Sequence, residues 1–537
     1  MAMFDRRREN KQTFDESRNL NVTIRDCNNV DGHIEYKIEI WRSPEPEVRY
    51  GLTYRYSQFA QLNASLRAPN VTLPVLPPKK FFGNTDKSFV NDRKVALQNY
   101  MDELTKHPIL RHHQALKNFL DPSNFCNAHH ENGTMSVAAV LRSGGRLELG
   151  SPLTGIGWRY HKQYFHVSQV NSGSAGGAEA SSAVSSSSSS PELTSAALAH
   201  TLHVAPPKAS LMLWWCPYGI DSSMHLRDVH GTLTALVQCQ HPYLATTLSS
   251  VATETGVCVT MPYYPQGSLR DLLYGSRPDN SFVVKYASNR STSAAVTGVS
   301  IRSAAVYGRQ ILTALNFLHH FISCNVHLGN VVVVEGVCRL MGTENLVLGL
   351  PHPLRNLFTH VKSLNSIQAI DVYCFGHLLY EVVMRRSLTT PTCELLPAEC
   401  PALCRSVLES IFSPEAAKNG MPTIEGLLTH PFFNEIPLHS HGRASLHLPA
   451  NVKQALLATH QTMLSRLLAD QKKVRLQKRI QKAEALLAQQ SYRFTHRNKE
   501  AKKTGTKSAG ATPPSSTITS PGTSSQGASQ DNLSQPR

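Results

Sequence analysis

The sequence predicts an α+β multidomain chain, on three observations. Residues 20–59 alternate apolar and polar side chains in strand fashion (NVTIRD, HIEYKIEIW, VRYGLTYRYSQF), and KSFVNDRKVALQNYMDELTKH and HQALKNFL then turn to helical spacing, a compact α+β unit over 20–121. From about 140 to 436, β-rich runs give way to longer amphipathic helices, a second and larger unit. The chain has 537 residues, enough for more than one core, since domains run about 100–200 residues.

Hydrophobic residues make up 41% and charged residues 17%, ordinary globular material diluted by Ser-rich tracts. The tract NSGSAGGAEASSAVSSSSSSPELTSAA, a disordered insertion at about 171–200, is too polar to pack, and a second Ser-rich loop occupies about 275–297. Residues 1–19 and the Ser/Thr/Pro-rich tail 504–537 are expected to be disordered for the same reason. A formal charge of +16 favours acidic surfaces, anionic lipid or nucleic acid. No base-reading motif accompanies that charge, so nucleic acid is not the expected partner. The opening MAMFDRRREN has no apolar signal core, and no run reaches the roughly 18 apolar residues of a bilayer span, which predicts a cytoplasmic chain. The 11 cysteines show no CxxC pair and no Cys/His set at zinc spacing, so reduced thiols are expected and no metal site.

Three segments of the first unit carry phosphate-binding chemistry: YRYSQF at 54–59, LPVLPPKKFFGN at 73–84 and RKVALQNY at 93–100. In this order and spacing they resemble the PX domain of sorting nexins. The resemblance implies that Arg55, whose planar fork suits bidentate binding, grips the 3-phosphate of a phosphoinositide headgroup. It places Tyr56 beneath the inositol ring, Lys79 on the bridging 1-phosphate and Arg93 on the ring hydroxyls. Phe81 and Phe82 would form the wedge that enters the bilayer interface, with Lys80 and Lys87 adding headgroup attraction. The expected ligand is phosphatidylinositol 3-phosphate or a related phosphoinositide.

The second unit resembles the protein-kinase fold, giving a bilobal expectation. QHPYL at 240–244 stands after helix C, GSLRDLLY at 267–274 at the hinge exit, and YGRQILTALNFLHH at 307–320 at helix E. DVYCFGHLLYEVV at 371–383 matches helix F with a buried Asp371, and MPTIEGLLTHPFF at 421–433 the last helix. Phosphoryl transfer needs a phosphate loop, a Lys paired to a helix C Glu, a catalytic Asp, and an Asp and Asn on magnesium. Only a partial glycine turn, Gly155-Ile156-Gly157, is present, and strand three (LMLWW, 211–215) puts Trp214 or Trp215 near the Lys position. Helix C offers no acid after Asp228. SCNVHLGN aligns with HRDLxxxN, so Asn325 replaces the catalytic Asp, and an amide is no base near neutral pH. Asn330 matches the metal-binding Asn, but Gly342 stands where the magnesium Asp should be. No catalytic residue, cofactor or metal is therefore assigned. A displaced substitution would use Glu344 on a metal or Lys208 reaching inward.

Taken together, the chain resembles the PX-domain serine/threonine-kinase-like proteins over residues 20 to about 490. The resemblance implies a phosphoinositide-binding pseudokinase scaffold in membrane-protein trafficking, peripheral on endosomal or plasma membrane. It further implies protein partners for the pseudokinase lobe, with sodium/potassium-ATPase subunits and actin suggested by relatives. The tail carries no WH2-type actin-binding segment. The alternative is a divergent serine/threonine kinase using ATP.

Residues 450–503 read as a basic helical segment, with Leu476, Ile480, Ala483 and Leu487 on one face. Between Arg466 and Lys503 there are 12 Lys or Arg and 3 Asp or Glu, which suits an anionic membrane, a partner helix, a nuclear or nucleic-acid address or a solvated face packed on the lobe.

Overall fold

The computed structural model describes residues 18–42, 45–68, 71–79, 85–125, 127–144, 146–157, 161–169, 210–287, 299–318, 321–323, 325–438 and 443–504. Phe81, Phe82, Lys80, Lys208, the 171–200 insertion and the 505–537 tail lie outside the described residues.

The chain opens with an antiparallel sheet of β1 (Leu20–Val30), β2 (His33–Arg42) and β3 (Glu45–Arg55). Asp31 and Gly32 make the first turn with φ of 50° and 78°, the positive pair that a two-residue hairpin matched to strand twist requires. Because strand side chains alternate, Tyr36, Ile38 and Ile40 of β2 all point to one face. That face is covered by α1 (Tyr56–Ser65) and α2 (Lys87–Lys106), which contribute Phe59, Leu97, Tyr100, Met101 and Leu104 to the same core. Buried positions at 90, 93, 97, 100, 101 and 104 of α2 follow the three- and four-residue spacing of a helix laid on a sheet. α3 (Gln114–Leu120) closes the unit, and the Tyr54 ring stacks on Phe119 at 4.1 Å.

Helix α4 (Asn127–Gly144) follows, and its Val137, Val140 and Leu141 pack under the next sheet, with Leu147, Phe165, Leu213 and Trp215. This helix belongs by packing to the second unit and begins ahead of residue 140. That sheet has five antiparallel strands in the order β4 (Leu147–Pro152), β5 (Gln163–Gln169), β6 (Leu211–Pro217), β8 (Gly256–Pro262), β7 (Ser249–Ala252). α5 (Leu226–Val237), the expected helix C, lies against β7.

Beyond the sheet come short helices α6 (Leu269–Leu273) and α7 (Phe282–Ala287), then α8 (Ile301–Leu318) and the hairpin β9 (Val331–Val334) and β10 (Val337–Leu340). α9 (Ile367–Met384) is apolar nearly all round, because it runs through the interior with α8 and α10 (Ala402–Phe412) packed around it. This is the two-lobed arrangement expected of the kinase-like region. The 55-residue α11 (Ala450–Thr504) begins inside the same core through Val452, Leu456 and Leu467.

Four distant segments meet in a buried charge cluster. Arg355 pairs with Asp221, and its Nη2 donates to Asp470 at 3.2 Å. Arg466 donates to Asp221 at 2.9 Å, and Arg18 to Asp470 at 3.3 Å. The start of the chain, the loop after β6, a turn before α9 and the first half of α11 are thereby held together. From Leu476 onward α11 forms a separate unit whose Leu476, Ile480 and Leu487 are exposed.

Candidate functional site

Two sites come out of this frame. In the first, Arg55 ends β3 and caps α1, where Gln58 accepts its backbone N–H at 2.8 Å. Its half-exposed guanidinium donates to Glu35 at 3.2 Å. The next residue, Tyr56, donates through its hydroxyl to the carbonyl of Pro77. Arg93, on the first turns of α2, is buried, with its guanidinium 4.4 Å from the Tyr56 ring and 4.2 Å from the Phe89 ring. It donates to the Pro78 carbonyl at 3.1 Å. The proline loop is thus tied to both other motifs immediately before Lys79, which is exposed. Arg93 Nε is buried without a hydrogen-bond partner among the described residues.

The second site is the cleft between the five-stranded sheet and the helical part, lined by Lys162, Met212, Tyr264, Asp271, Asn330 and Asn345 among others. Its inner end holds a residue that motif reading missed. Lys162 precedes β5, and its buried ammonium donates to Asn345 Oδ1 at 2.7 Å while lying 4.1 Å over the Trp214 ring. Burial pushes its pKa down, opposed by Cys216 and Glu344. Strand β6 presents Trp214 here, and the charge comes from the residue just ahead of the neighbouring strand β5. The available signal is a lysine, HKQYFHV, just ahead of an alternating strand that follows a glycine turn.

The other positions of the kinase-like motifs are held by hydrogen bonds and ion pairs within the domain. Asn330 Nδ2 donates to the Asn325 carbonyl at 2.9 Å, and Asn325 Nδ2 to the Leu350 carbonyl at 3.3 Å. Glu344 is buried and accepts from Thr247 Oγ1 at 2.9 Å. Asp271 accepts from Ser268 N, Ser268 Oγ and Ser276 Oγ and is paired with Lys285. Asp371 accepts from Ser323 Oγ at 2.9 Å, and burial pushes its pKa up to about 8. Among the described residues no cluster of His, Cys, Asp or Glu could hold a metal ion.

Gly342 sits at φ 86°, and a Cβ there would stand 2.5 Å from Asn345 Nδ2 and 2.9 Å from Asn330 Nδ2. Restoring an aspartate by Gly342→Asp is expected to destabilise the protein by about 2 kcal/mol or more, since left-handed backbone alone costs about 1–2 kcal/mol for a side-chain residue. Denaturant titration checks this, and an unchanged midpoint would contradict it.

The geometry defines an α+β domain followed by a kinase-like domain, and comparison with known proteins agrees. The PX domain family profile matches residues 48–123. The chain is 31% identical to a PX domain-containing protein kinase-like protein of Mus musculus over 487 residues, 90% of this chain and 77% of the relative. It is 31% identical over 195 residues to the Slowpoke-binding protein of Drosophila melanogaster, covering 34% of this chain and 36% of that one. A probable inactive serine/threonine-protein kinase, slob1 of Dictyostelium discoideum, is 26% identical over 328 residues, 56% of this chain and 50% of the relative. The chain belongs to the family of PX domain-containing protein kinase-like proteins. Among the described residues no helix is long and apolar enough to cross a membrane.

Proposed function

We propose that this protein is a scaffold that its PX domain recruits to membranes bearing phosphatidylinositol 3-phosphate, and that its kinase-like domain binds protein partners without transferring phosphate. The observation that supports the reading is the tie between the three motifs: Tyr56, which follows Arg55, and Arg93 both bond the Pro77–Pro78 segment that leads into Lys79. Phe81 and Phe82 follow Lys79 in the chain as the membrane wedge. Endosomal membrane is the location such a lipid preference dictates, with plasma membrane the second. The partners to test first are the sodium/potassium-ATPase subunits. The lobe lacks the conventional catalytic Lys, catalytic Asp and magnesium Asp, with Trp214, Asn325 and Gly342 at those places.

The divergent-kinase alternative is tested by phosphate transfer from labelled ATP with magnesium to generic protein substrates. No transfer above background is expected. Transfer that disappears in Asn330→Ala or Glu344→Ala would establish the enzyme instead.

A further inference from the structure

Past Arg475, α11 keeps its helical backbone while its side chains leave the folded core. Leu476 is 58% exposed, Ile480 49%, Leu486 51% and Leu487 65%, so four large apolar side chains stand in water on one short stretch of helix. At 3.6 residues per turn, Leu476, Ile480, Ala483 and Leu487 fall within an arc of about 60°, and Leu486 widens it to about 120°. Arg475, Arg479 and Lys482 border the arc on the Leu486 side, with Lys478 behind them. Six of the eleven residues 472–482 are Lys or Arg and none is Asp or Glu. Long cationic side chains at such a border lay their stems along the apolar surface and keep their charged heads in the polar layer.

The charge and the length of the stripe decide what covers it. A second copy of the helix would bring an excess of the same charge. Continued by heptads, the stripe meets Lys473 on one side and Gln490 on the other, so it lasts two heptads, short of the three to four of a coiled coil. A nucleic-acid backbone would engage the cations and leave the leucines in water. An anionic bilayer surface satisfies both halves at once, because acyl chains receive the apolar arc and headgroups the lysines and arginines.

We infer that residues 476–490 of α11 form an interfacial helix that binds anionic membrane through Leu476, Ile480, Leu486 and Leu487, with Arg479 and Lys482 on the headgroups. This second membrane contact goes beyond the recruitment reading and does not depend on it. It adds the same attraction to every anionic surface, so isomer preference stays with the PX domain.

The test is flotation of the intact protein at physiological salt with vesicles of phosphatidylcholine alone or with phosphatidylserine added, neither containing a phosphoinositide. Retention by the phosphatidylserine vesicles is expected, with little by phosphatidylcholine. Ile480→Gln combined with Leu487→Gln is expected to lower it by about 10-fold or more through lost apolar contact. Lys478→Gln combined with Lys482→Gln is expected to lower it by about 10- to 30-fold, about fivefold per charge. All four side chains are exposed, so unfolding midpoints of both variants should match that of the parent protein. Loss in the charge variant alone would make the face a general polyanion binder, nucleic acid included, and overturn the inference. Equal retention by phosphatidylcholine, or unchanged retention in both folded variants, would also overturn it. A dimer in light scattering that Ile480→Gln with Leu487→Gln dissolves would give the face to a second copy instead. Because the vesicles lack the ligand of the PX pocket, failure here leaves the recruitment reading standing.

Discussion

Arg55→Ala is expected to lower the affinity of the intact protein for vesicles containing phosphatidylinositol 3-phosphate by about 10- to 100-fold, because a bidentate contact to a charged phosphate contributes about 1.5–3 kcal/mol. Lys79→Ala removes a single point charge near the membrane, which contributes about 1 kcal/mol, so a loss of about 5-fold is expected there. The order matters as much as the size. A purely electrostatic surface would count both residues alike, whereas a shaped phosphate pocket makes the guanidinium the larger loss. Neither change should disturb folding, since both side chains are solvent-accessible and the Arg55–Glu35 pair, half in water, contributes little. Equal losses from the two variants would point to general attraction, and no loss from either would remove this pocket from the account.

The second large effect concerns the buried charge cluster. Arg355, Asp221 and Asp470 are all more than nine-tenths buried, and Arg355 serves both carboxylates. Arg355→Met leaves two buried carboxylates short of their shared partner. Breaking such a pair costs about 3–5 kcal/mol. Arg466 still reaches Asp221 and Arg18 still reaches Asp470, which puts the expected loss near the lower end, about 3 kcal/mol. Equilibrium unfolding measures it, and adding Asp470→Leu to Arg355→Met should recover part of the loss by removing one orphaned charge. A loss under about 0.5 kcal/mol, the level of an ordinary surface change, would mean the cluster holds nothing together.

What could be read from the sequence divides along contact distance. The phosphoinositide motifs were legible because each is a run of a few residues whose order along the chain survives folding. The helices of the larger lobe were legible through apolar spacing, Asp371 among them. Lys162 was not: its place in the cleft depends on the pairing of β5 with β6 and on Asn345, 183 residues away. The cation stands just ahead of β5, one strand away from the β6 position where the kinase pattern puts it. Arg355 likewise reads as an ordinary surface residue until Asp470, 115 residues on, is brought to it. Glu344 was a candidate metal ligand from position alone, and its bond to Thr247 depends on a turn that no local pattern marks. Helix α4 went unseen because nothing in composition separates it from the unit before it, and its allegiance is decided only by the sheet it packs under.

Recruitment by a shaped headgroup pocket is tested by co-sedimentation of the intact protein with vesicles across a panel of phosphoinositide isomers at physiological salt. Preferential retention by the 3-phosphate lipid over its 4- and 5-phosphate isomers, at equal total charge, is the predicted result. Equal retention by every anionic vesicle would contradict it and move membrane recognition to the basic face of α11.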